Sequence, residues 1–586
     1  MRGLLRILGA FLPLLGPALL LAQGTQPAPD QAPTLSLTTR LVYVDVVVRD
    51  SHGQLVHGLA QQDFKVLEDG KPQTVAFFEA HTYDAGAAAA TAAPAPSRGE
   101  LTFSNVAAPG TVSGSINILL FDLLNTPATD QIYARRQMLK FLRELPPGQR
   151  VALFVLTTQL QMLQGFTGGS DLLSSAAKML DPKDFHILRS QAQQDLEADN
   201  LQQMAQALGG RDPSGSVDHW AKALSQEDAI NTDNRARMTL AALAELARAT
   251  SGYPGRKNLL WLSASFPLAV GAWMESNPYA SGDIGHASAD LLSQRETANL
   301  IATAQIAVYP ISVLGTQLEY IGPESSGAAG GQQVSSIAPV GHRLGTDREG
   351  KFTGRTQQVD ASEDLARQTG GKAFHGSNDL AGALLQSIQE GANYYTLAYY
   401  PQNPDWSGKF RQIRVDVAQK GDTLAYRRGY YALPDALTAG DPGKELNVAL
   451  QPQTPESTML RLKASIELPG EGHPMVTVTA NIDAGNVQFT IDAAGHHRAK
   501  LLVLLVAFPD GPKEPEEPPQ NSGALNVDLD AARYQAVVER GIGFQQALAL
   551  KPGKYRLRLG VSDMSNHHLG TLDMPVDLGA SGSAGH

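Results

Sequence analysis

The first regular pattern along the chain has the two-residue period of a β-strand. Every even position in residues 42–48 is valine, and the Asp-Ser-His-Gly segment at 50–53 has the composition of a turn. This pattern predicts a hairpin. A second strand pair is predicted at 63–68 and 75–78, around the Glu-Asp-Gly-Lys turn at 68–71. Strands this short need partner strands to bury a face.

Between residues 115 and 391 the pattern changes to short apolar runs that alternate with helical periods. Strands are predicted at 116–121, 151–156, 258–262 and 306–313. Helices are predicted at 129–145, 235–250, 289–304, 361–369 and 378–390. Buried strands that alternate with helices are typical of a doubly wound parallel sheet covered on both faces.

Two long segments interrupt this α/β pattern. A Gln-rich insertion covers residues 186–232 and a Gly/Ser-rich insertion covers 322–357. Both exceed ordinary connections, so each is interpreted either as a functional loop or as a disordered segment, and the first could add a helix.

The strand period returns after Gly391, in a segment rich in tyrosine. These tyrosines could form a ligand platform, but aromatic residues are also good strand formers, which favours core packing. We predict one discontinuous β-sandwich made of residues 34–82 and 392–432, with the α/β domain, 114–391, inserted into it. The Ala/Pro-rich stretch 83–113 is predicted to be a flexible linker.

Residues 445–580 contain further alternating segments and predict a second antiparallel sandwich at the carboxyl-terminal end. The predicted fold class is therefore multidomain α/β plus β.

The amino terminus has the pattern of a secretory signal. Arg2 and Arg6 precede an apolar run that is interrupted by Pro13 and Pro17, and residues 1–22 are predicted to be removed on export. The alternative is a membrane anchor, but the run is short of the roughly 20 apolar residues that a span needs. No later segment is apolar enough to span, so we expect a periplasmic or extracellular protein without a membrane span.

Composition excludes several classes of function. The chain has no cysteine, which excludes disulfides, thiol catalysis and cysteine-based zinc sites. Loss of Arg2 and Arg6 with the signal would change the formal net charge from −11 to −13. This acidic balance argues against a nucleic-acid partner.

The end of the first strand of the α/β domain carries the most specific motif, Phe-Asp-Leu-Leu-Asn-Thr-Pro at 121–127. A buried strand that ends in Asp and leads into a long helix resembles a von Willebrand factor A domain. Together with Leu-Pro-Pro-Gly-Gln-Arg-Val-Ala at 145–152 and Leu-Ala-Arg-Gln-Thr-Gly-Gly at 365–371, it is similar to the von Willebrand A-related proteins typical of acidobacteria. The resemblance covers roughly residues 35–432 and implies architecture more than activity.

The resemblance also implies a partial metal-ion-dependent site. Von Willebrand A domains hold Mg²⁺ through two Asp, two hydroxyls of the first loop and a Thr, and oxygen ligands suit this ion. Asp122, Thr126 and Thr167 match three of these positions, whereas Leu124 and Ala264 replace a hydroxyl and the second Asp.

Ligands other than those three would have to complete the ion's shell. Asn125, water or a partner's carboxylate could serve, so Mg²⁺, Mn²⁺ or Ca²⁺ would bind weakly. The alternative is that Asp122 and Thr126 cap the helix that follows.

No catalytic motif is present: the chain lacks a Walker phosphate loop, a paired-His zinc helix and a Gly-x-Ser-x-Gly elbow. We therefore expect no enzyme but a secreted protein that acts in protein binding or adhesion through a degenerate metal site, with a partner the sequence does not identify. The alternative is a metal-independent scaffold for structure or envelope assembly.

Overall fold

The protein is described here by a computed structural model. It describes residues 40–83, 102–106, 116–180 except 147, 216–266, 284–314, 361–433 except 420, and 441–579 except 453, 470–474 and 511–516. The predicted signal peptide, 1–22, and the insertion 322–357 lie outside the described residues. So do most of the predicted linker, 83–113, and residues 186–215 of the first insertion.

The strands and helices of these segments are numbered in chain order. The strands are β1 Val42–Arg49, β2 Phe64–Glu68, β3 Lys71–Gln73, β4 Val75–His81, β5 Thr102–Ser104, β6 Ile116–Asp122, β7 Arg150–Leu156, β8 Leu160–Thr167, β9 Lys257–Ser263, β10 Ile306–Ser312, β11 Tyr394–Tyr399, β12 Phe410–Val417, β13 Thr423–Ala425, β14 Gly429–Tyr431, β15 Leu462–Glu467, β16 Val476–Ile482, β17 Thr490–Ile491, β18 His497–Pro509, β19 Gln520–Leu529, β20 Ile542–Leu548, β21 Gly553–Asp563 and β22 Leu569–Leu578. The helices are α1 Ala128–Arg143, α2 Ser170–Lys178, α3 Ser216–Thr250, α4 Ile284–Thr303, α5 361–369, α6 Leu380–Gly391, α7 Pro442–Ala449 and α8 Ala531–Arg540.

Strands from two distant parts of the chain pair in the amino-terminal sandwich, which consists of β1–β4 and β11–β14. Its sheets have the orders β13-β1-β11-β4 and β14-β12-β2-β3, and all pairs are antiparallel. The even-numbered valines of β1 enter the core between the sheets, where they meet Leu397 and Val415.

The predicted hairpins are only partly correct. The turn at 50–53 forms, but β1 pairs with β11 and β13, and only an isolated bridge joins Arg49 to Leu55. The turn at 68–71 joins β2 to β3, while β4, which contains the predicted strand 75–78, pairs with β11. The wide apolar face of β11 offers more burial than a neighbouring short strand does, and that decides the pairing.

The central unit is a five-stranded sheet with the order β10-β9-β6-β7-β8. The first four strands are parallel and β8 is antiparallel at one edge. Helices α1, α2 and α6 pack on one face, and α3 and α4 pack on the other. The strands are buried on both sides, which explains their continuous apolar sequences.

The carboxyl-terminal sandwich has one sheet with the order β20-β16-β15-β5 and another with the order β17-β18-β21-β22, with β19 also paired to β18. Strand β5 lies within the predicted linker 83–113, so this part of the stretch is a strand rather than a flexible segment. Strands β19, β20 and β22 were not predicted. Strands β19 and β20 are partly exposed and polar along their length, whereas β22 is mostly buried and contains Gly, Asp and Pro between its apolar residues. The protein is thus a mixed α/β structure with several antiparallel sheets.

Contacts fasten the three units to one another. The Arg256 backbone N–H in the central unit donates to the Tyr394 hydroxyl in the amino-terminal sandwich at 3.3 Å. The Gly252 N–H, just after α3, donates to the Thr458 hydroxyl of the carboxyl-terminal unit at 2.8 Å. Among the described helices, none is long and apolar enough to cross a membrane.

Candidate functional site

The motif around Asp122 lies where the central sheet changes direction. From β6 the chain proceeds to β7 and β8 on one side and then returns to β9 and β10 on the other. Asp122 is the last residue of β6, and Ser263 is the last residue of the adjacent β9. Such a switch point, at the carboxyl ends of parallel strands, is the usual ligand crevice of an open α/β sheet.

The Asp122 carboxylate is fully buried and is surrounded by hydrogen-bond donors. Its Oδ1 accepts from the Asn125 backbone N–H at 2.9 Å, and its Oδ2 accepts from the Asn125 side-chain amide at 2.9 Å. Oδ2 also accepts from the Trp261 indole N–H at 3.0 Å. The Ser263 hydroxyl lies 3.0 Å from Oδ2 and 2.7 Å from the Ser265 carbonyl oxygen, and its single proton serves one of these acceptors at a time.

Two threonine hydroxyls complete the set of hydrogen-bonded groups around Asp122. The Asn125 amide also donates to the Thr239 hydroxyl of α3 at 2.9 Å. The Thr126 hydroxyl accepts from the Ala264 backbone N–H at 3.1 Å. We call the set of Asp122, Asn125, Thr126, Thr239, Trp261 and Ser263 the Asp122 network; its members tie β6, β9 and α3 together.

Burial dominates the electrostatics of the carboxyl group. Removal from water raises the pKa of Asp122 to about 6, and the hydrogen bonds from Asn125, Trp261 and Ser263 oppose this shift without cancelling it. Asp122 is therefore ionised at neutral pH in the folded protein, and the network stabilises its charge through dipoles.

Of the predicted ligands, Asp122, Asn125 and Thr126 come together, but Thr167 does not. Asp122 pairs with Leu156 at the carboxyl end of β7, whereas Thr167 pairs with Val151 near its amino end. Val151 and Leu156 are five residue steps apart on β7, which separates Asp122 from Thr167 by roughly 16 Å along the strand. Because β8 is antiparallel, its last residue lies at the opposite edge of the sheet, where the Thr167 hydroxyl accepts from the Gly169 N–H at 3.0 Å.

The helix-capping alternative also differs from the structure. Pro127 occupies the position before α1, and no side chain caps this helix. The oxygens of Asp122 and Thr126 instead accept bonds from the turn after β6 and from the end of β9.

The Asp122 network does not fit a divalent cation. Converging donors occupy Oδ2 of Asp122 and the Thr126 hydroxyl, and Leu124, at the missing hydroxyl position, is buried in the core. Asn125 Oδ1, an amide oxygen, is the one network oxygen without a hydrogen-bond partner, whereas Mg²⁺ is usually bound through one or two carboxylates, with water completing its shell. Within the described segments, no group of three or more His, Cys, Asp or Glu residues could hold a metal ion.

Sequence reasoning missed Thr239, Trp261 and Ser263. One signal was available for Trp261: a tryptophan in a continuous apolar strand needs a partner for its N–H. Asp122 is the nearby acceptor on the same face of the sheet, since Trp261 lies beside Leu120 in the core under α3 and α4.

Comparisons with known proteins assign no family to the chain. No protein-family model matches it, and no curated protein matches it. It is similar to an aerotolerance-related membrane protein from Bacteroides fragilis, at 10% identity over 47% of this chain and 100% of that one, with a TM-score of 0.24.

Two further solved structures give similar values. BatB from Bacteroides thetaiotaomicron has 11% identity over 48% of this chain and 99% of its own, with a TM-score of 0.24. The PilB minor pilin from Streptococcus sanguinis has 9% identity over 50% of this chain and 61% of its own, with a TM-score of 0.23. TM-scores this low carry no argument about fold or function.

Proposed function

We propose that this chain is an exported binding protein with a von Willebrand A-like domain and that it holds its protein partner without a metal ion. The strand order β10-β9-β6-β7-β8, with helices on both faces and Asp122 at the switch point, supports the domain assignment. The signal pattern of residues 1–22 supports the proposal of export.

The metal-free part of the proposal rests on the Asp122 carboxylate, because both of its oxygens already accept hydrogen bonds from the protein. In a cation site the carboxylate oxygens would face the ion, but here N–H groups of Asn125 and Trp261 point their positive ends at them. A cation would have to displace these donors and leave them buried without acceptors, which costs about 1–3 kcal/mol for each.

A binding role is favoured over catalysis because the Asp122 carboxylate is fully buried and its oxygens accept hydrogen bonds from the protein's own donors. A general acid or base must lie within hydrogen-bond reach of the proton that it transfers. The hydrogen bonds that fasten both sandwiches to the central unit also support the second candidate, a rigid metal-independent scaffold.

Thermal unfolding of the full chain, with and without millimolar Mg²⁺, Mn²⁺ or Ca²⁺, tests the proposal. We expect the Tm to change by less than a degree. Saturation of a real site at a hundred times its Kd would add about 2.7 kcal/mol and raise the Tm by several degrees. Asp122→Asn is the matched control, since it keeps the shape of the side chain and removes the charge.

Capture of a protein partner by the immobilised full chain supplies the second readout. We expect the same partner to bind in EDTA and in Mg²⁺. A metal-induced rise in Tm that Asp122→Asn abolishes, or capture that occurs only with Mg²⁺, would overturn the metal-free proposal. Capture of no partner in either buffer would overturn the binding role and leave the scaffold.

A further inference from the structure

A large cavity lies at the end of the central sheet opposite to the Asp122 network. It has a volume of about 870 Å³, which is within the range of small-molecule sites. The outer face of β1, β4 and β11 forms one wall, and the segment that leads into β9 forms the other. Lys257 and Ser263, at the two ends of β9, place the two regions roughly 20 Å apart.

The wall from the amino-terminal sandwich is aromatic. Tyr43 and Phe77 both pair with Ala398, one from each side, so all three point to the same face of the sheet. Ala398 lies between them and is fully buried, and the two rings stand on strands roughly 10 Å apart. Tyr43 is 37% and Phe77 44% exposed, and both line the cavity together with Tyr400.

The opposite wall contains a buried amine without a partner. Lys257 is only 1% exposed and lines the cavity, yet within the described part of the chain its ammonium group has no hydrogen bond and no ion pair. Burial lowers the pKa of Lys257 to about 7; Asp45 opposes this shift, and Arg461 adds to it. Asp45 acts on Lys257 only through space, because its carboxylate accepts hydrogen bonds from Gln305 and Thr396. An anionic group in the cavity that bonds directly to the amine would therefore relieve the cost of burying it.

Glu79, His81 and Arg461 also line the cavity, and their charged contacts are with groups other than Lys257. Arg461 lies at the edge of the cavity, half-exposed, and contacts Asp483 at 3.6 Å. Glu79 is 55% exposed and lies 3.6 Å from His81, so water screens the charge of its carboxylate. The His81 ring stacks on Tyr394, with ring centroids 4.3 Å apart, and extends the aromatic surface.

We propose that this cavity binds a small organic carboxylate whose ring stacks on Tyr43 and Phe77 and whose carboxylate pairs with Lys257. Flat ring faces recognise aromatic or sugar rings, and the ammonium group recognises the acid. An aromatic acid and a sugar acid share this chemistry. The site goes beyond the proposed partner binding and does not depend on it.

Calorimetric titration of the full chain with phenylacetate and with glucuronate tests this proposal. We expect one of these acids to bind at least tenfold more tightly than its neutral counterpart, phenylacetamide or glucose. Binding of phenylacetate would identify the ligand as an aromatic acid, and binding of glucuronate would identify it as a sugar acid. Binding of neither acid would overturn the proposal.

Two variants separate the charge from the ring contact. Lys257→Met keeps the length of the side chain, removes a buried charge and should fold; we expect it to weaken acid binding at least tenfold. Tyr43→Ala, at an exposed position, should weaken it several-fold. Lys463→Met, on the exposed face of β15, is the matched control and should bind like the wild type. Equal binding by wild type, Lys257→Met and Tyr43→Ala would contradict the assignment.

The pH dependence supplies an independent readout. The other titratable and charged groups that line the cavity or act on Lys257 are Tyr43, Asp45, Glu79, His81, Tyr253, Tyr394, Tyr400 and Arg461. Carboxylates and histidines ordinarily finish titrating below pH 7.5. Burial raises the pKa of Tyr253 to about 12 and that of Tyr394 further. Between pH 7.5 and 9 the wild-type affinity should therefore fall as Lys257 loses its proton, and affinity that stays constant over this range would also count against the site.

Discussion

The indole N–H of Trp261 donates to a carboxylate that no neighbouring cation neutralises. Asp122 is fully buried, and the groups that lower its pKa are hydrogen bonds from Asn125, Trp261 and Ser263 rather than charged side chains. Hydrogen bonds to a charged group contribute about 1.5–3 kcal/mol, roughly twice as much as neutral ones. Trp261 thus stabilises the ionised form of the Asp122 network.

Trp261→Phe should destabilise the protein by about 3 kcal/mol at pH 7.5, since it removes one charged hydrogen bond and part of a packed ring. At pH 5 the loss should be smaller, because Asp122, with its pKa near 6, is then mostly protonated in the folded state and the lost bond is a neutral one. Urea denaturation at both pH values measures the difference.

Phe154→Leu is the matched control for Trp261→Phe. Phe154 is buried in the same core and has no polar atom in its side chain. The free energy of unfolding that Phe154→Leu removes should therefore be the same at pH 5 and pH 7.5. Identical pH behaviour of the two variants would show that Trp261 acts only through packing.

At the scale of elements, the structure gives a physical reason for the Gly-Gly pair at 370–371. In the sequence this pair ends the 365–371 motif, which was singled out only by its resemblance to a family. The Thr369 hydroxyl accepts from the Val308 N–H at 3.0 Å, which brings the turn after α5 against β10. A Cβ on Gly371 would overlap the Val308 carbonyl oxygen, and Gly370 has a φ of +79°. The two glycines let the backbone approach the sheet edge, where Phe374 then bridges to Ile311.

Gly371→Ala should therefore destabilise the protein by about 3 kcal/mol, as overpacking of a tight contact does. Gly165→Ala, in β8, has open space around the added methyl group and should change the stability by less than about 0.5 kcal/mol. Thermal unfolding of both variants beside the wild type measures this. A Gly371→Ala protein as stable as the Gly165→Ala protein would rule out the close approach.

At the scale of the whole molecule, the end of α3 connects the central unit to the carboxyl-terminal sandwich. The Thr458 hydroxyl donates to the Ala249 carbonyl oxygen at 2.9 Å and accepts from the Gly252 N–H at 2.8 Å. Thr458 also bridges to Gly570 of β22. This buried side chain therefore satisfies polar groups at a helix end that would otherwise lack partners.

Thr458→Val should cost about 2 kcal/mol and uncouple the two units, because it leaves the Gly252 N–H buried without an acceptor. All four tryptophans lie outside the carboxyl-terminal sandwich, so fluorescence reports on the rest of the chain and circular dichroism on the whole. The two transitions should coincide in the wild type and separate in Thr458→Val.

Thr477→Val on β16 controls for the substitution itself, since the Thr477 hydroxyl has no hydrogen-bond partner among the residues described. Its transitions should stay coincident. Coincident transitions in Thr458→Val would mean that other contacts suffice to hold the two units together.

Local patterning by itself determined the positions of the central strands and the placement of Asp122 at a strand end. Buried parallel strands need continuous apolar residues, so β6, β7, β9 and β10 were visible within one or two residues of their bounds. Asp122, Asn125 and Thr126 come together because they share one turn, which a sequence specifies through neighbouring residues.

Tertiary structure alone decided which strands pair and which side chains meet Asp122. The sequence analysis grouped residues 34–82 and 392–432 in one sandwich, but strand periodicity does not say that β1 pairs with β11, about 350 residues away along the chain. Thr167 is excluded from the network because the direction of β8 sends it to the opposite edge of the sheet, and Thr239 and Trp261 enter because α3 and β9 pack beside β6. The sequence specifies local periods, whereas the competition for burial among all elements selects the contacts.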